Sequence, residues 1–152
     1  MSYKNFYAIL LNMKNKKYIR LTKDHIKSVF EDCNQKYFGN KVETPDNIEL
    51  WTPTKRCVGW VRATTNRKTG KIKTHLHISA RYNWTEENLR DTIIHEMIHL
   101  EIKDYLIPLT FWQRILRKDH DKDFIERMNE INATYGLNIS IRAKHMRKEL
   151  KK

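Results

Sequence analysis

The stretch that decides the fold is Thr92-Ile93-Ile94-His95-Glu96-Met97-Ile98-His99. On a helix, His95 and His99 lie on one face, because residues four apart are separated by only about 40° around the axis. Two imidazoles at this spacing can bind one zinc ion, and Glu96 between them can act as general base on a metal-bound water. The pattern is typical of zinc peptidases.

The residues around these polar side chains favour a buried metal-binding helix over a chance match on a solvated helix face. Apolar residues flank the motif nearly all round, as in a helix that is buried on every side: Leu89, Ile93, Ile94, Met97, Ile98 and Leu100. Burying His95, Glu96 and His99 there without partners would be costly, and a metal ion supplies the partners. Thr85 is the predicted N-cap of this central helix.

A catalytic zinc site needs a third protein ligand and an open position for water. The metzincin spacing would place Gly at position 102 and His at position 105, where this sequence has Ile102 and Tyr105. Asp91 lies four residues before His95 on the same helix face, where it can either orient that imidazole or be a surface carboxylate. The third ligand must therefore come from another part of the chain.

A further helix is predicted from about Asp119 to Tyr135, with Gly136 as its stop. His120 lies four residues before Phe124, so it continues the apolar stripe of this helix. A histidine there would face the central helix where the two helices pack. We therefore predict His120 as the third ligand, in preference to Asp119, Asp121 and Glu126.

The composition predicts one globular domain of 152 residues, with 39% hydrophobic and 32% charged residues. The formal net charge of +12 indicates an anionic partner, nucleic acid before membrane. Cys33 and Cys57 form no C-x-x-C pair, which excludes a disulfide framework and a cysteine-rich zinc ribbon. No signal peptide or membrane span is expected from the short apolar run at residues 6–11. The sequence thus predicts a cytoplasmic protein in a reducing compartment.

A first helix is predicted between Thr22 as N-cap and Gly39 as stop. Cys33 belongs to the apolar stripe of this helix, so we interpret it as a core residue and not as a catalytic one. Three strands follow, the first around residues 48–52 and the others at 57–65 and 71–80.

The last two strands are joined by a hairpin turn from Asn66 to Gly70, where glycine can take a positive φ. Alternation along the last strand places His75 and His77 on its polar face. We predict that both are solvent-exposed, with metal binding as the less favoured alternative.

Basic residues dominate the chain between Trp51 and Thr85, which contains no Asp or Glu. Trp60 and Trp84 are interleaved with them and, together with Trp51, would suit base stacking, although a core position is favoured for each Trp alone. A second basic cluster closes the chain. The predicted nucleic-acid-binding residues of the two clusters are Lys55, Arg56, Arg62, Arg67, Lys68, Lys71, Lys73, Arg81, Arg142, Lys144, Arg147 and Lys148.

The sequence resembles the SprT-like family of zinc metallopeptidases and, within it, the protease core of Spartan, which degrades proteins crosslinked to DNA. The resemblance lies in an ordered set of pieces over roughly residues 22–145: Tyr37-Phe38-Gly39, Gly59 after Cys57-Val58, Thr92 to His99, His120 with Phe124, Met128, Ile131-Asn132, Gly136 and Asn138-Ile139.

This resemblance implies an α+β fold with a zincin-like core: an N-terminal helix, a small antiparallel three-stranded sheet, an active-site helix and a further metal-binding helix. It implies a domain at 22–145, preceded by an extension at 1–21 and followed by a basic tail at 146–152. His95, His99 and His120 would bind one Zn²⁺, and Glu96 would be the base. The sequence departs from the family at Asp121, where Gly is common, and in the longer connector 103–119.

The function expected from these features is a zinc-dependent endopeptidase that cleaves DNA-bound or DNA-crosslinked proteins. We expect a monomer that binds single-stranded or distorted DNA without sequence preference and has no membrane partner. Two alternatives remain open at this point: a nucleic-acid-binding module with a non-catalytic zinc site, and a zinc hydrolase of small amides or esters.

Overall fold

The computed structural model describes residues 17–52, 57–106 and 120–141. In chain order the elements are α1 (Lys23–Phe38), β1 (Asn47–Trp51), β2 (Gly59–Thr65), β3 (Ile72–Ser79), α2 (Glu86–Ile102), a 3₁₀ turn (Asp104–Leu106) and α3 (Lys122–Tyr135). The fold is of the α+β class, as the sequence predicts. In the described ranges no helix is both long enough and apolar enough to cross a bilayer.

Helix α1 begins and ends where the sequence predicts. The Thr22 side chain accepts a hydrogen bond from the His25 amide, and Gly39 ends the helix in the left-handed conformation at φ 59°. Burial raises the pKa of the Cys33 thiol to about 12, so this side chain stays protonated in the core. The interpretation of Cys33 as a core residue is confirmed.

The sheet has the strand order β1-β3-β2, and its pairing differs from the expectation. Strands β2 and β3 form the predicted antiparallel hairpin, with Gly70 at φ 69° in the turn. Strand β1 pairs in parallel with β3, with Ile48 opposite Leu76. The prediction of a wholly antiparallel sheet is therefore wrong. Strands β1 and β2 do run in opposite directions, but the hairpin places β3 between them, so β1 meets a strand of its own direction.

One face of the sheet packs on the helices, and Leu76 and Ile78 are fully buried there. On the opposite face, His77 is only 5% exposed, so its predicted solvent exposure is wrong. His75 is also largely covered, with a side chain 12% exposed. The cause is aromatic cover from the neighbouring strands, because the rings of Trp51 and Trp60 lie 6.1 and 5.6 Å from the His77 ring.

The three tryptophans of the basic stretch have different environments. Trp84 is 1% exposed and its indole N–H donates to the Ser79 carbonyl at 2.7 Å, so it is a core residue as expected. Trp51 is half-buried. Trp60 is 44% exposed, so the core position favoured from the sequence is wrong for this residue. It lies on the sheet face that the helices leave uncovered.

Helix α2 runs through the centre of the domain, capped by Thr85 as predicted, and it ends at Lys103 in a left-handed conformation at φ 55°. Helix α3 packs against it and begins at Lys122, three residues later than predicted. The Asp121 carboxylate caps α3 by accepting from the Phe124 amide at 3.0 Å. The N-cap role explains why Asp121 stands at a position where the resemblance to the family would lead us to expect glycine.

Candidate metal centre and active site

Three imidazoles converge between α2 and the start of α3. The ring centroids of His95 and His99 are 5.2 Å apart, and the His120 ring lies 4.8 Å from the first and 5.2 Å from the second. One nitrogen atom from each of the three rings lies within 4.8 Å of the corresponding nitrogen atoms of the other two. Nitrogens that share a tetrahedral zinc at about 2.05 Å are about 3.4 Å apart, so this donor set fits a metal ion.

His120 reaches this cluster by a route that differs from the predicted one. It lies in the turn before the N-cap of α3 and not on the helix itself, so helical periodicity does not place it. Phe124 lies in the first turn of α3 and packs against all three imidazoles, with centroid distances of 4.8, 4.5 and 4.3 Å to His95, His99 and His120. Phe124 therefore supports the three rings on one apolar surface.

Asp104 is a site residue that the sequence analysis missed. Its carboxylate lies 2.7 Å from Nδ1 of His99, and the residue is 4% exposed. The left-handed Lys103 reverses the chain after α2 and brings Asp104 back to the helix. An Nδ1–H that donates to this carboxylate leaves Nε2 with its lone pair free for a metal, which is a common partner arrangement of metal-bound histidines.

His95 has a corresponding partner in the Ser140 carbonyl, 3.2 Å from its Nδ1. Because a carbonyl oxygen only accepts, this contact requires an Nδ1–H and leaves Nε2 as the metal-binding atom. Asn132 holds the Ser140 segment in place, since its side chain exchanges two hydrogen bonds with the backbone of Ile139, at 2.8 and 2.9 Å. Asp91 instead accepts from the Arg90 guanidinium at 2.6 and 2.9 Å.

His95 is held in the form that can bind a metal. Burial, and then the neighbouring His99 and His120, lower the pKa of His95 to about 3. Only the neutral imidazole offers a lone pair to a metal ion. His95 therefore stays neutral at physiological pH even before a metal binds.

Glu96 is buried beside the cluster, with 5% of its surface exposed. Burial raises the pKa of its carboxyl group to about 7, with His99 lowering it, Asp104 raising it and a hydrogen bond from the Val61 backbone lowering it. A carboxyl group that titrates near neutrality can take up and release a proton at physiological pH. Glu96 is thus chemically suited to the role of general base.

Strand β2 crosses α2 directly over Glu96. A Cβ atom on Gly59 would lie 2.9 Å from Glu96 Oε1 and 3.0 Å from Thr92 Cγ2, so only glycine allows the strand to approach this closely. In this antiparallel pair, the backbone hydrogen bonds to β3 are made by every second residue of the β2 segment, starting with Val58 and Trp60. The intervening Val61 amide points to the outer edge of β2, where it meets the Glu96 carboxylate.

Half of the predicted nucleic-acid-binding residues lie in the described part of the chain, and all of these are exposed: Arg62, Arg67, Lys68, Lys71, Lys73 and Arg81. The others lie outside the described residues: Lys55, Arg56, Arg142, Lys144, Arg147 and Lys148. Most of the connector that precedes His120 is also outside them. Arg62 and Lys73 lie on β2 and β3, and Arg67, Lys68 and Lys71 lie in the hairpin between these strands.

The comparison with protein families agrees with the geometry of this site. No curated protein and no solved structure matches the chain. The SprT-like family matches residues 26–145, a range that contains most of α1, the sheet, all three histidines of the cluster and Ser140. This family is one of zinc metallopeptidase-like proteins. The chain belongs to the SprT-like family.

Proposed function

We propose that the protein is a zinc-dependent endopeptidase that cleaves DNA-bound or DNA-crosslinked proteins. The observation that carries the proposal is the convergence of His95, His99 and His120 beside the buried carboxyl group of Glu96. Within residues 17–52, 57–106 and 120–141, the group of potential ligands has three members. Three protein ligands are typical of catalytic zinc sites, whereas structural sites are usually closed by four. The ligand number thus favours an enzyme over a module with a non-catalytic zinc.

Each residue of the site has a defined part in peptide hydrolysis. The three histidines would hold the metal, with Asp104 and the Ser140 carbonyl fixing the orientation of two of the rings. A zinc ion bound there would polarise the scissile carbonyl and lower the pKa of water. Glu96 would accept a proton from the attacking water and then transfer it to the amine that leaves.

The association with DNA is supported by charge. The formal net charge is +12, and residues 57–85 contain exposed cations and no acidic residue. Lysine and arginine gain affinity for DNA by releasing condensed counterions, and this gain does not depend on base sequence. DNA would then act as a scaffold that brings bound proteins to the active site.

The proposed chemistry is tested by Glu96→Gln, with zinc content measured in parallel. A positioned general base contributes about 10²–10⁴-fold to the rate, so hydrolysis of casein should fall by that factor while zinc stays bound. Glu87→Gln, a highly exposed residue in the first turn of α2, is the matched control and should retain full activity. Unchanged turnover in Glu96→Gln would overturn the mechanism, and hydrolysis of small amides or esters without casein cleavage would favour a different zinc hydrolase.

The proposed role of DNA is tested separately, by comparing cleavage with and without added DNA over a range of salt concentrations. Log affinity should fall linearly with log salt, with a slope of about −0.7 per neutralised phosphate on single strands and −0.9 on duplex. Cleavage that is indifferent to DNA, together with binding that is independent of salt, would mean that the charge serves another purpose.

A further inference from the structure

The face of the sheet that points away from the helices carries an unusual set of side chains. Across the three strands, Glu49, His77 and Trp60 form one row, and Asn47, His75 and Arg62 form the next. Trp51 lies in the row beyond, with its ring 5.8 Å from that of Trp60. We refer to Trp51, Trp60, Arg62, His75 and His77 as the aromatic face.

Two features distinguish the aromatic face from an ordinary solvated sheet face. Trp60 is 44% exposed, which is unusual for so large an apolar ring on a sheet, and Arg62 holds its guanidinium 5.8 Å from the ring centroid. The His77 ring lies 5.6 Å from the Trp60 ring and is 95% buried beneath it, with Glu49 3.3 Å from its Nδ1, so the indole rests on a covered, polar-backed support. The exposed indole and the guanidinium beside it therefore offer a flat ring and a positive charge on one surface.

Positive charge extends from this face along the hairpin. By register, Lys73 lies on the same face as Arg62, and Arg67, Lys68 and Lys71 follow at the turn. Lys73 is four positions from His77 along β3, so the track from Trp60, which lies opposite His77, to Lys73 is about 13 Å long. Two acidic residues lie near this track. Glu49, on the far strand, faces His75 and His77, and Asp46 accepts from the Thr74 amide at 2.8 Å, near Lys71 and Lys73.

The chemistry of this surface matches one class of ligand. A flat, exposed indole offers a stacking surface to an unpaired base, and the cations beside it match a chain of phosphates. A duplex keeps its bases stacked inside the helix, where Trp60 cannot reach them. An acidic peptide would use the cations and leave the indole without a role.

We propose that the aromatic face is a binding site for single-stranded nucleic acid, with a base stacked on Trp60 and the phosphates following Arg62 and Lys73 toward the hairpin. The inference rests on the proposed association with DNA and gives that association a place on the molecule. The site lies on the sheet face opposite the helices, so binding there leaves the imidazole cluster open to a protein substrate.

The test measures the affinity of the full-length, zinc-loaded protein for a fluorescein-labelled oligothymidylate by anisotropy. Stacking of one base is worth about 1–3 kcal/mol, so Trp60→Ala should weaken binding about 5- to 150-fold. Tyr18→Ala is the matched control, since Tyr18 is 49% exposed and lies outside the sheet, and it should bind like the wild type.

The phosphate contacts are tested by the dependence of binding on salt. Arg62→Ala and Lys73→Ala should each reduce the salt slope by about 0.7, whereas Lys23→Ala on α1 should leave it unchanged. Zinc content and thermal unfolding of each variant show whether the fold is retained. Because Arg62, Lys73 and Lys23 are exposed, we expect both properties of their variants to match those of the wild type. Trp60→Ala uncovers His77, so it should keep its zinc and unfold at a somewhat lower temperature.

Several outcomes would overturn the proposal. Wild-type affinity and salt slope in Trp60→Ala would show that the strand binds elsewhere, and DNA-stimulated cleavage in the same variant would then leave the proposed function standing. Equal competition by poly-glutamate would identify the ligand as an acidic peptide. A dimer that dissociates in Trp60→Ala would show that a second copy covers this face.

Loss of casein cleavage in Glu96→Gln with intact oligonucleotide binding would support both proposals.

Discussion

The Asp104 carboxylate lies 2.7 Å from Nδ1 of His99, so the turn that ends α2 is directly connected to the imidazole cluster on that helix. The two residues are five positions apart, and the left-handed Lys103 between them allows the contact. The metal-binding face of the helix therefore depends on how the helix ends.

We expect Asp104→Asn to weaken zinc binding by about 10- to 100-fold, the usual effect of removing a carboxylate partner from a metal-bound histidine. Competition with a chromogenic chelator measures this affinity without reference to catalysis. Asp24→Asn, in the exposed first turn of α1, is the control and should bind zinc like the wild type. Wild-type zinc affinity in Asp104→Asn would contradict the role assigned to this contact.

We expect Gly59→Ala to reduce peptidase activity strongly while zinc stays bound. The added methyl group would lie 2.9 Å from Glu96 Oε1, and the carboxylate can move away from it more easily than the strand can. The loss of peptidase activity should be close to the 10²–10⁴-fold loss expected for removing the general base, and no larger.

Gly70→Ala is the control for this substitution. Gly70 has a φ of 69° with open space around it, so the variant should lose about 1–2 kcal/mol of stability and keep the activity of each folded molecule. Urea unfolding and casein cleavage measured on both variants separate the two effects. Full activity in Gly59→Ala would show that the position of Glu96 tolerates the methyl group.

We expect the purified protein to bind one zinc ion, and His120→Ala, like His95→Ala and His99→Ala, to lower its occupancy. His25→Ala, a histidine paired with Glu86 away from the cluster, is the control and should keep full occupancy. Removing the metal should also lower stability, by about 4 kcal/mol when free zinc is a thousand times its dissociation constant. Full occupancy in His120→Ala would remove this residue from the ligand set.

We expect stability to fall as the pH drops below about 6.5, partly because of His77. Burial lowers the pKa of this imidazole, with Glu49 raising it and Arg62 and His75 lowering it further. Below about pH 6.5, the pKa in the unfolded chain, His77 is protonated when the protein is unfolded but stays neutral when it is folded. Lowering the pH therefore favours unfolding, until the pH reaches the lower pKa of the folded state.

The contribution of His77 to the pH dependence of stability is measured by comparing the free energy of unfolding of the wild type and His77→Gln as a function of pH. One proton corresponds to a slope of up to about 1.4 kcal/mol per pH unit, and the variant should lose that slope between pH 6.5 and the folded pKa. Urea unfolding at a series of pH values measures it, and the comparison cancels the protons taken up by other groups, His95 included. If the stability of the two proteins changed with pH in parallel, the burial of His77 would have no effect on the free energy of unfolding.

Local signals in the sequence predicted the helix ends and the hairpin well. Thr22, Gly39 and Thr85 act within one helical turn of their own position, and the turn before Gly70 needs no distant partner. Such interactions are encoded by neighbours in the chain, and sequence spacing is sufficient to find them.

Features that depend on distant segments could not be predicted in the same way. The parallel pairing of β1 follows from where the hairpin docks, and the burial of His77 follows from two tryptophans on neighbouring strands. Asp104 escaped notice because a non-glycine residue, Lys103, adopts the left-handed conformation that brings it back to His99. His120 was chosen by helical spacing, although a turn places it.

The carbonyl that orients His95 comes from a residue 45 positions later in the chain, which sets an order of assembly during synthesis. His95 and His99 leave the ribosome first, His120 follows, and the carbonyl of Ser140 that orients His95 comes last. A nascent chain that has exposed only the central helix therefore has two ligands and an unsupported ring. The imidazole cluster and its ring contacts can therefore be completed only after Ser140 has left the ribosome.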